Sequence, residues 1–359
     1  MENLLNLTFE ELQARIIALP AKPFRAKQIW HFLYNKGATS FAAMPSLGKE
    51  LQAKLAENYN IARPKIIAQQ QSTDNTIKYL LALADGKEIE AVYIPSSERG
   101  TICISTQVGC NMGCTFCNTG TQPMVRNLTC AEILGQVMLI KDLLKDYNHR
   151  VGENRQITNI VFMGMGEPLQ NYKEVKKSIA IFNNPEGLAI SRRKITLSTC
   201  GIVPKIKELA QDIPVNLSIS LHAPNDALRN TIMPINSRFS INEVLEAAKN
   251  YYETSNTKRI TLVYIMIKNI NDTLEHAKEL LALANRLPCK INLIPFHAWQ
   301  GSSFASTADQ DIRNFGQYLI NAGFTVNVRT TRGNDILAAC GQLKSNSLRV
   351  PKQQGMNKS

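Results

Sequence analysis

The chain has 359 residues, more than the roughly 250–300 at which a single core stops growing, so one large domain with a smaller accessory one is expected. Its 44% hydrophobic content is that of an ordinary globular protein, no apolar run is long enough to cross a bilayer, and eight cysteines are too few for a disulfide scaffold. Basic residues outnumber acidic ones by 41 to 29, a formal charge of +12, which suits a polyanionic partner and equally a merely basic surface.

The opening "MENLLNLTFEELQARIIALP" lacks the basic-then-apolar order of a signal peptide, which points to a reducing, cytoplasmic setting. It reads instead as a helix over 8–19, with Thr8 and Glu11 as a capping box and Phe9, Leu12, Ile16 and Leu19 on one face. Further helices are predicted over 25–35, closed by Gly37, and over 47–57. The second, "FRAKQIWHFLYNKG", interleaves Arg25, Lys27, His31 and Lys36 with Phe24, Trp30, Phe32 and Tyr34. That mixture suits RNA, whose bases stack on aromatics while phosphates meet cations. The competing reading is that Trp30, Leu33 and Tyr34, at helical spacing, form a core stripe.

Next, "TIKYLLAL" and "EIEAVYIP" flank "ADGK", a hairpin turning at Asp85-Gly86. "TICIST" is a further strand and runs into "QVGCNMGCTFCNTG". Beyond it, strand-like runs ("ITNIVFMGMG", "KITLSTCG", "VNLSISLHA", "ITLVYIMI", "KINLIPF") alternate with helices predicted over 131–147, 172–182, 204–211, 241–254 and 273–286. Thr129 and Glu132 form a second capping box. Counting "TICIST" as the first strand, six units fit: an α/β fold, a partial (β/α)6 TIM-like barrel two units short of a closed one. The expected division is an accessory RNA-binding module with hairpin over 1–90, the barrel with a carboxyl-terminal cysteine segment over 91–343, and a flexible tail over 344–359.

Cys110, Cys114 and Cys117 stand in one loop at the carboxyl end of a strand, where barrels place their chemistry. A structural zinc site wants four ligands, commonly in two pairs, so zinc here would need Cys103, Cys130 or a histidine as the fourth. Three thiolates on a four-iron cluster leave one iron free for a substrate.

"CNMGCTFC" resembles the C-x3-C-x-Φ-C signature of the radical S-adenosylmethionine (SAM) enzymes, with Phe116 as the aromatic. The resemblance implies a [4Fe-4S] cluster on Cys110, Cys114 and Cys117 whose open iron chelates SAM and whose electron cleaves it to a 5′-deoxyadenosyl radical. "GMGEP" is similar to that family's glycine-rich motif, which implies that Gly166 and Glu167 meet the SAM amino group. Ser198, Ser220, Leu221 and His222 end strands where they could reach ribose or carboxylate, and His297 stands where relatives carry an asparagine contacting SAM.

"IEAVYIP", the cysteine loop, "GMGEP" and "RTTRGNDILAACGQL" together resemble the branch of this family that methylates C2 of adenosine in 23S rRNA and in tRNA, 3′ of the anticodon. By that resemblance Cys340 carries the methyl group, Glu90 accepts the C2 proton, and Cys103 releases the product as a disulfide forms. It also implies two SAM molecules per turnover, an electron donor such as flavodoxin, and a monomer without membrane attachment. Taken without the resemblance, Cys103 and Cys340 read as inert buried thiols and Glu90 as an exposed hairpin carboxylate. The alternatives are the C8-methylating relatives, which share the cysteines, a small-molecule radical SAM enzyme, and a zinc-stabilised RNA-binding protein without catalysis.

Overall fold

The computed structural model describes residues 1–19, 21–96, 99–147, 155–255 and 260–347. Ten strands form one sheet: β1 (Lys65–Gln71), β2 (Ile77–Ala82), β3 (Glu88–Ile94), β4 (Thr101–Cys103), β5 (Asn159–Phe162), β6 (Ile195–Thr199), β7 (Asn216–Ser220), β8 (Ile260–Met266), β9 (Cys289–Pro295) and β10 (Val326–Val328). Each pairs with its chain neighbours, antiparallel from β1 to β4 and parallel from β4 to β10. The expected α/β partial barrel is thus the fold, with β4 to β9 as the six foreseen strands. The short β10 adds a seventh parallel one. Every residue of β8 is buried, the mark of a strand covered on both faces.

The helices are α1 (Phe9–Ala18), α2 (Phe24–Tyr34), α3 (Lys49–Asn58), α4 (Cys130–Leu144), α5 (Tyr172–Asn183), α6 (Val203–Asp212), α7 (Asp226–Ile232), α8 (Ile241–Ser255), α9 (Leu274–Ala284) and α10 (Asp309–Asn321). Both foreseen capping boxes are formed, and they start α1 and α4 where the sequence places them. α7, α10 and the edge strand β1 were not foreseen. α7 and β1 are short or polar, whereas α10 buries Ile312, Phe315, Gly316 and Leu319 at the regular spacing of an amphipathic helix.

The core stripe expected in α2 is formed, while Phe24 of the same helix stays exposed. Trp30, Leu33 and Tyr34 are buried, and Trp30 packs edge-on against Phe9 at 5.5 Å and Tyr34 at 4.5 Å. They are core, unavailable to stack on bases. Nor is the amino-terminal module detached from the barrel. The Ala131 N–H donates to Asn6 Oδ1 at 2.7 Å, Lys177 pairs with Glu11 at 2.8 Å, and the apolar residues of α1 and α2 share one core with those of α4 and α5. Residue 90 lies inside β3, so a boundary there would cut a hydrogen-bonded strand.

The expected tail also begins later than residue 344. Lys344 donates its N–H to Glu90, Ser345 exchanges two hydrogen bonds with Gln122, and the Glu88 N–H donates to Ser347 Oγ. Polar side chains tie this stretch to β3 and the cysteine loop where apolar patterning is silent. Residues 348–359 lie outside the described residues.

Candidate active site

The site is built at the carboxyl ends of the parallel strands, where successive loops turn over one cleft. From β4 the chain enters the cysteine loop; from β5 it enters "GMGEP", which packs beneath that loop. A Cβ on Gly164 would lie 2.7 Å from the Ile104 carbonyl oxygen, and one on Gly166, whose φ is +94°, would lie 2.5 Å from Gln107 Cβ. The glycines therefore let two loops touch, in addition to leaving backbone open toward a ligand. The contact is locked when the Glu167 N–H donates to Gln107 Oε1 at 2.8 Å.

Glu167 is buried, and its two carboxylate oxygens accept the N–H groups of Leu169 at 3.0 Å and Cys200 at 2.9 Å. Burial pushes its carboxyl up from the ordinary range, against the opposing pull of those N–H donors. An approaching ammonium would restore the charged form, which suits an amino-group ligand.

Around the same cleft stand the three cysteines. Burial pushes Cys110 up to about 12, and lifts Cys114 and Cys117 above the ordinary thiol value; for Cys114 the neighbouring Cys117 and Cys110 add like-charge repulsion. Three crowded, desolvated thiols are costly to ionise alone and gain most when positive metal compensates them. Among the described residues no three His, Cys, Asp or Glu side chains converge as ligands of a single ion. A cluster that gives each thiolate its own iron fits these donors better than one zinc.

Arg229 braces the backbone of residues that line the cleft. It is fully buried, and its guanidinium donates to Leu221 O at 3.0 Å, Cys200 O at 2.6 Å, Ser220 O at 3.2 Å and Asn236 Oδ1 at 2.9 Å. It thereby fixes the turns after β6 and β7. Burial depresses it below the usual arginine value. His222 sits in the left-handed region at φ +59°, accepts the Ile265 N–H on Nδ1 at 3.0 Å, and meets the Phe116 ring edge-on at 4.8 Å. Burial, and then Arg229, lower it to about 3, so the ring is neutral with its proton on Nε2.

The carboxyl-terminal segment closes the site. The Asn118 N–H donates to Gly341 O at 2.7 Å, Asn118 Nδ2 to Gln342 O at 3.0 Å, and Thr119 Oγ1 to Leu343 O at 2.6 Å. Cys340 is thus carried to the edge of the cysteine loop, 223 residues after Cys117. Glu90 anchors the same segment from β3: its carboxylate accepts the Lys344 N–H at 2.9 Å and pairs with Lys78 at 3.2 Å. It is buried, unlike the exposed hairpin carboxylate that composition alone suggested, and desolvation raises it above the ordinary carboxylate range despite Lys78.

The cleft encloses about 1030 Å³, counted to its open mouth. Cys110, Cys114, Cys117, Gly166, Glu167, Ser198, Ser220, His222 and Cys340 all line it, so nine of the candidate residues come together. Four do not reach its wall. Leu221 turns into the core, His297 pairs through Nε2 with Thr331 Oγ1, and Glu90 lies under the carboxyl-terminal segment. Instead of His297, β9 offers Asn292 and Ile294, which alternate toward the cleft as a strand's period of two requires. Cys103, the fourth, lines a second cavity that it shares with Cys340 and Arg329. Sequence reasoning missed Arg229, Asn292 and Arg329; period-two alternation could have found Asn292, whereas nothing local marks the arginines.

A parallel sheet with three cysteines at one strand end and a glycine–glutamate turn at the next defines a radical SAM enzyme. The Radical SAM superfamily model matches residues 104–284, and that of the ribosomal RNA large subunit methyltransferase N-terminal domain matches 2–61. A radical SAM methyltransferase from Sphaerobacter thermophilus superposes with a TM-score of 0.90 at 39% identity, covering 96% of this chain and 99% of that one. The chain is 49% identical to the dual-specificity RNA methyltransferase RlmN of Rhodospirillum rubrum, over 97% of its own length and 81% of that protein's. To the RlmN of Rhodopseudomonas palustris it is 48% identical, over 96% and 89%. It belongs to the RlmN family. That family implies a [4Fe-4S] cluster and SAM. Among the described residues no helix is long and apolar enough to cross a membrane.

Proposed function

We propose that this enzyme methylates C2 of adenosine in 23S rRNA and in tRNA, 3′ of the anticodon, consuming two SAM molecules per turnover. The observation that carries the reading is the docking of the Cys340 segment on the cysteine loop, with Cys103 and Cys340 on one cavity. A carbon as electron-poor as adenine C2 cannot displace a sulfonium methyl itself, so the methyl needs a carrier beside a radical source. Relatives named for RNA methylation, and the match of residues 2–61, support RNA as substrate.

A four-iron cluster on Cys110, Cys114 and Cys117 would bind SAM, supply the electron that yields the radical taking hydrogen from the carrier's methyl group, and take back the one electron the C2 adduct sheds with its proton. The chain's own residues do the rest. Glu167 receives the SAM ammonium, and Ser198 and Ser220, 3.3 Å apart, offer hydroxyls beside it. Cys340, exposed, takes a methyl by displacement and afterwards bonds through that carbon to C2. Glu90 accepts the C2 proton once the Lys344 amide releases its carboxylate. Cys103 then attacks the Cys340 sulfur and frees the product. Electrons come from a flavodoxin-like donor, and the protein works as a cytoplasmic monomer.

The test is the Cys103→Ala protein, incubated with SAM, reductant and RNA. It should stall as a nuclease-sensitive adduct, seen by denaturing electrophoresis and mapped to Cys340. Cys340→Ala should give neither adduct nor product. An adduct mapping elsewhere refutes the division of labour, and 8-methyladenosine in place of 2-methyladenosine by mass spectrometry refutes the regiochemistry.

A further inference from the structure

Cys103 has to act as a nucleophile in a place that opposes it. It is buried on β4, and desolvation, with Cys340 adding repulsion, pushes its thiol up to about 12. The attacking species in thiol chemistry is the thiolate, so an unaided Cys103 would be almost wholly in the wrong form at neutral pH.

The cavity it shares with Cys340 contains the remedy. Two cations line it, Arg329 and Arg332; apart from these and the two thiols, none of its lining side chains, from β3, β4, β5 or the carboxyl-terminal segment, is ionisable. Arg332 is exposed and leans on the Asp74 carbonyl at 3.5 Å. Arg329 is half-buried just past the end of β10, where its N–H donates to Leu293 O at 2.8 Å. Among the described residues its guanidinium makes no hydrogen bond and no ion pair, and it lines both this cavity and the main cleft. A half-buried arginine whose guanidinium has no partner among the described residues adds little stability of its own. On a cavity shared with a thiol that must ionise, it has a use.

We propose that Arg329 is a positioning residue for the release step: it holds Cys103 as the thiolate that resolves the RNA adduct. The step balances as follows. The Cys103 thiolate attacks the Cys340 sulfur of the thioether, the S–S bond forms and the bond from Cys340 sulfur to the methylene carbon breaks. That electron pair leaves on the carbon, which takes a proton and becomes the methyl group. The two cysteines lose the two electrons the carbon gains. Around Cys103 the Met163 backbone N–H and, after it, the Arg329 guanidinium favour the anion, while Cys340 opposes it.

This inference rests on the reading of Cys103 and Cys340 above, and its test separates the two. In the full-chain protein without RNA, alkylation of Cys103 by iodoacetamide is followed across pH by peptide mass spectrometry. Arg329→Met should alkylate about tenfold more slowly at pH 8, a shift of about one unit, with Arg329→Lys between it and wild type. With SAM, reductant and RNA, Arg329→Met should accumulate the Cys340 adduct at pH 7 and resolve it at pH 9, whereas Cys103→Ala should not resolve at either. Unchanged alkylation with normal resolution overturns the proposal. A raised KM for RNA without adduct would make Arg329 a phosphate contact, and lost SAM cleavage would make it a SAM ligand; either result also overturns it. If Cys103→Ala forms no adduct, the methyl-transfer reading falls while the alkylation profile still decides the role of Arg329.

Discussion

The buried pair of Lys78 and Glu90 links the hairpin to the segment that carries Cys340, and its removal can be worked from the structure. Their side chains are 10% and 7% exposed, so neither charge has water to fall back on. Lys78 also donates to Leu337 O at 3.3 Å, and Glu90 accepts from Lys344 at 2.9 Å, so both ends grip the segment. Breaking a buried pair from one side costs about 3–5 kcal/mol, because the other charge is left uncompensated. In Glu90→Gln the amide oxygen can still accept the Lys344 N–H, which places the cost near the lower end, about 3 kcal/mol. Lys78→Met should cost a similar ~3 kcal/mol, and the double variant about 3 rather than the additive ~6. Urea unfolding gives the global values, and hydrogen exchange of the 338–347 peptide gives the local one, where ~3 kcal/mol is a loss of about hundredfold in protection. The pH sense follows from the raised carboxyl of Glu90. Its contribution is fully present below the ordinary carboxylate range and is lost as pH rises through the raised folded value. Lys78→Met, which removes the opposing pull of the ammonium, should therefore lose stability toward neutral pH and recover it on acidification. Single variants whose costs add within about 0.5 kcal/mol would refute the reasoning.

The convergence of the three loop cysteines with the glycine–glutamate turn on one cleft, and the strand order, were legible because each depends on spacing within one short segment. C-x3-C-x-Φ-C, "GMGEP" and the alternation of apolar runs with capped helices need no partner to be seen. Glu90 was legible only through resemblance, since its burial depends on Lys344 arriving from 254 positions away. Arg229 and Arg329 were not legible at all. An arginine becomes structural when the backbone carbonyls of two distant turns converge on it, and positioning when it faces a desolvated thiol. Both conditions belong to the folded chain. In the mixed aromatic and basic helix, spacing within α2 was sufficient to expose its core stripe of Trp30, Leu33 and Tyr34. At the expected boundary at residue 90, by contrast, a change of rhythm in the sequence hides a continuous sheet.

Replacing any of Cys110, Cys114 or Cys117 with alanine should abolish iron and sulfide loading after anaerobic reconstitution, since two thiolates cannot hold a cluster that keeps one iron for SAM; a Cys114→Ala protein that stays brown and methylates RNA refutes it. Deleting residues 1–90 should leave no soluble folded barrel, because it removes β1, β2 and the start of β3 and uncovers the core shared with α4 and α5; an unchanged melting temperature would show the module to be independent. Acid sensitivity should be traceable to His222. Its folded value lies at about 3 against an ordinary 6.5, so the unfolded chain takes up a proton that the folded one refuses. Stability from this group is present above 6.5 and is lost as pH falls toward 3, with a slope approaching 1.4 kcal/mol per pH unit within that window. A His222→Gln variant cannot take up this proton, and its amide oxygen can accept the Ile265 N–H in place of Nδ1. It should start less stable at pH 7.5 for want of the fit against Phe116, yet lose less between pH 6.5 and 4 than wild type does. Parallel acid limbs for the two proteins in urea titrations at successive pH values would mean that His222 is not the group that titrates.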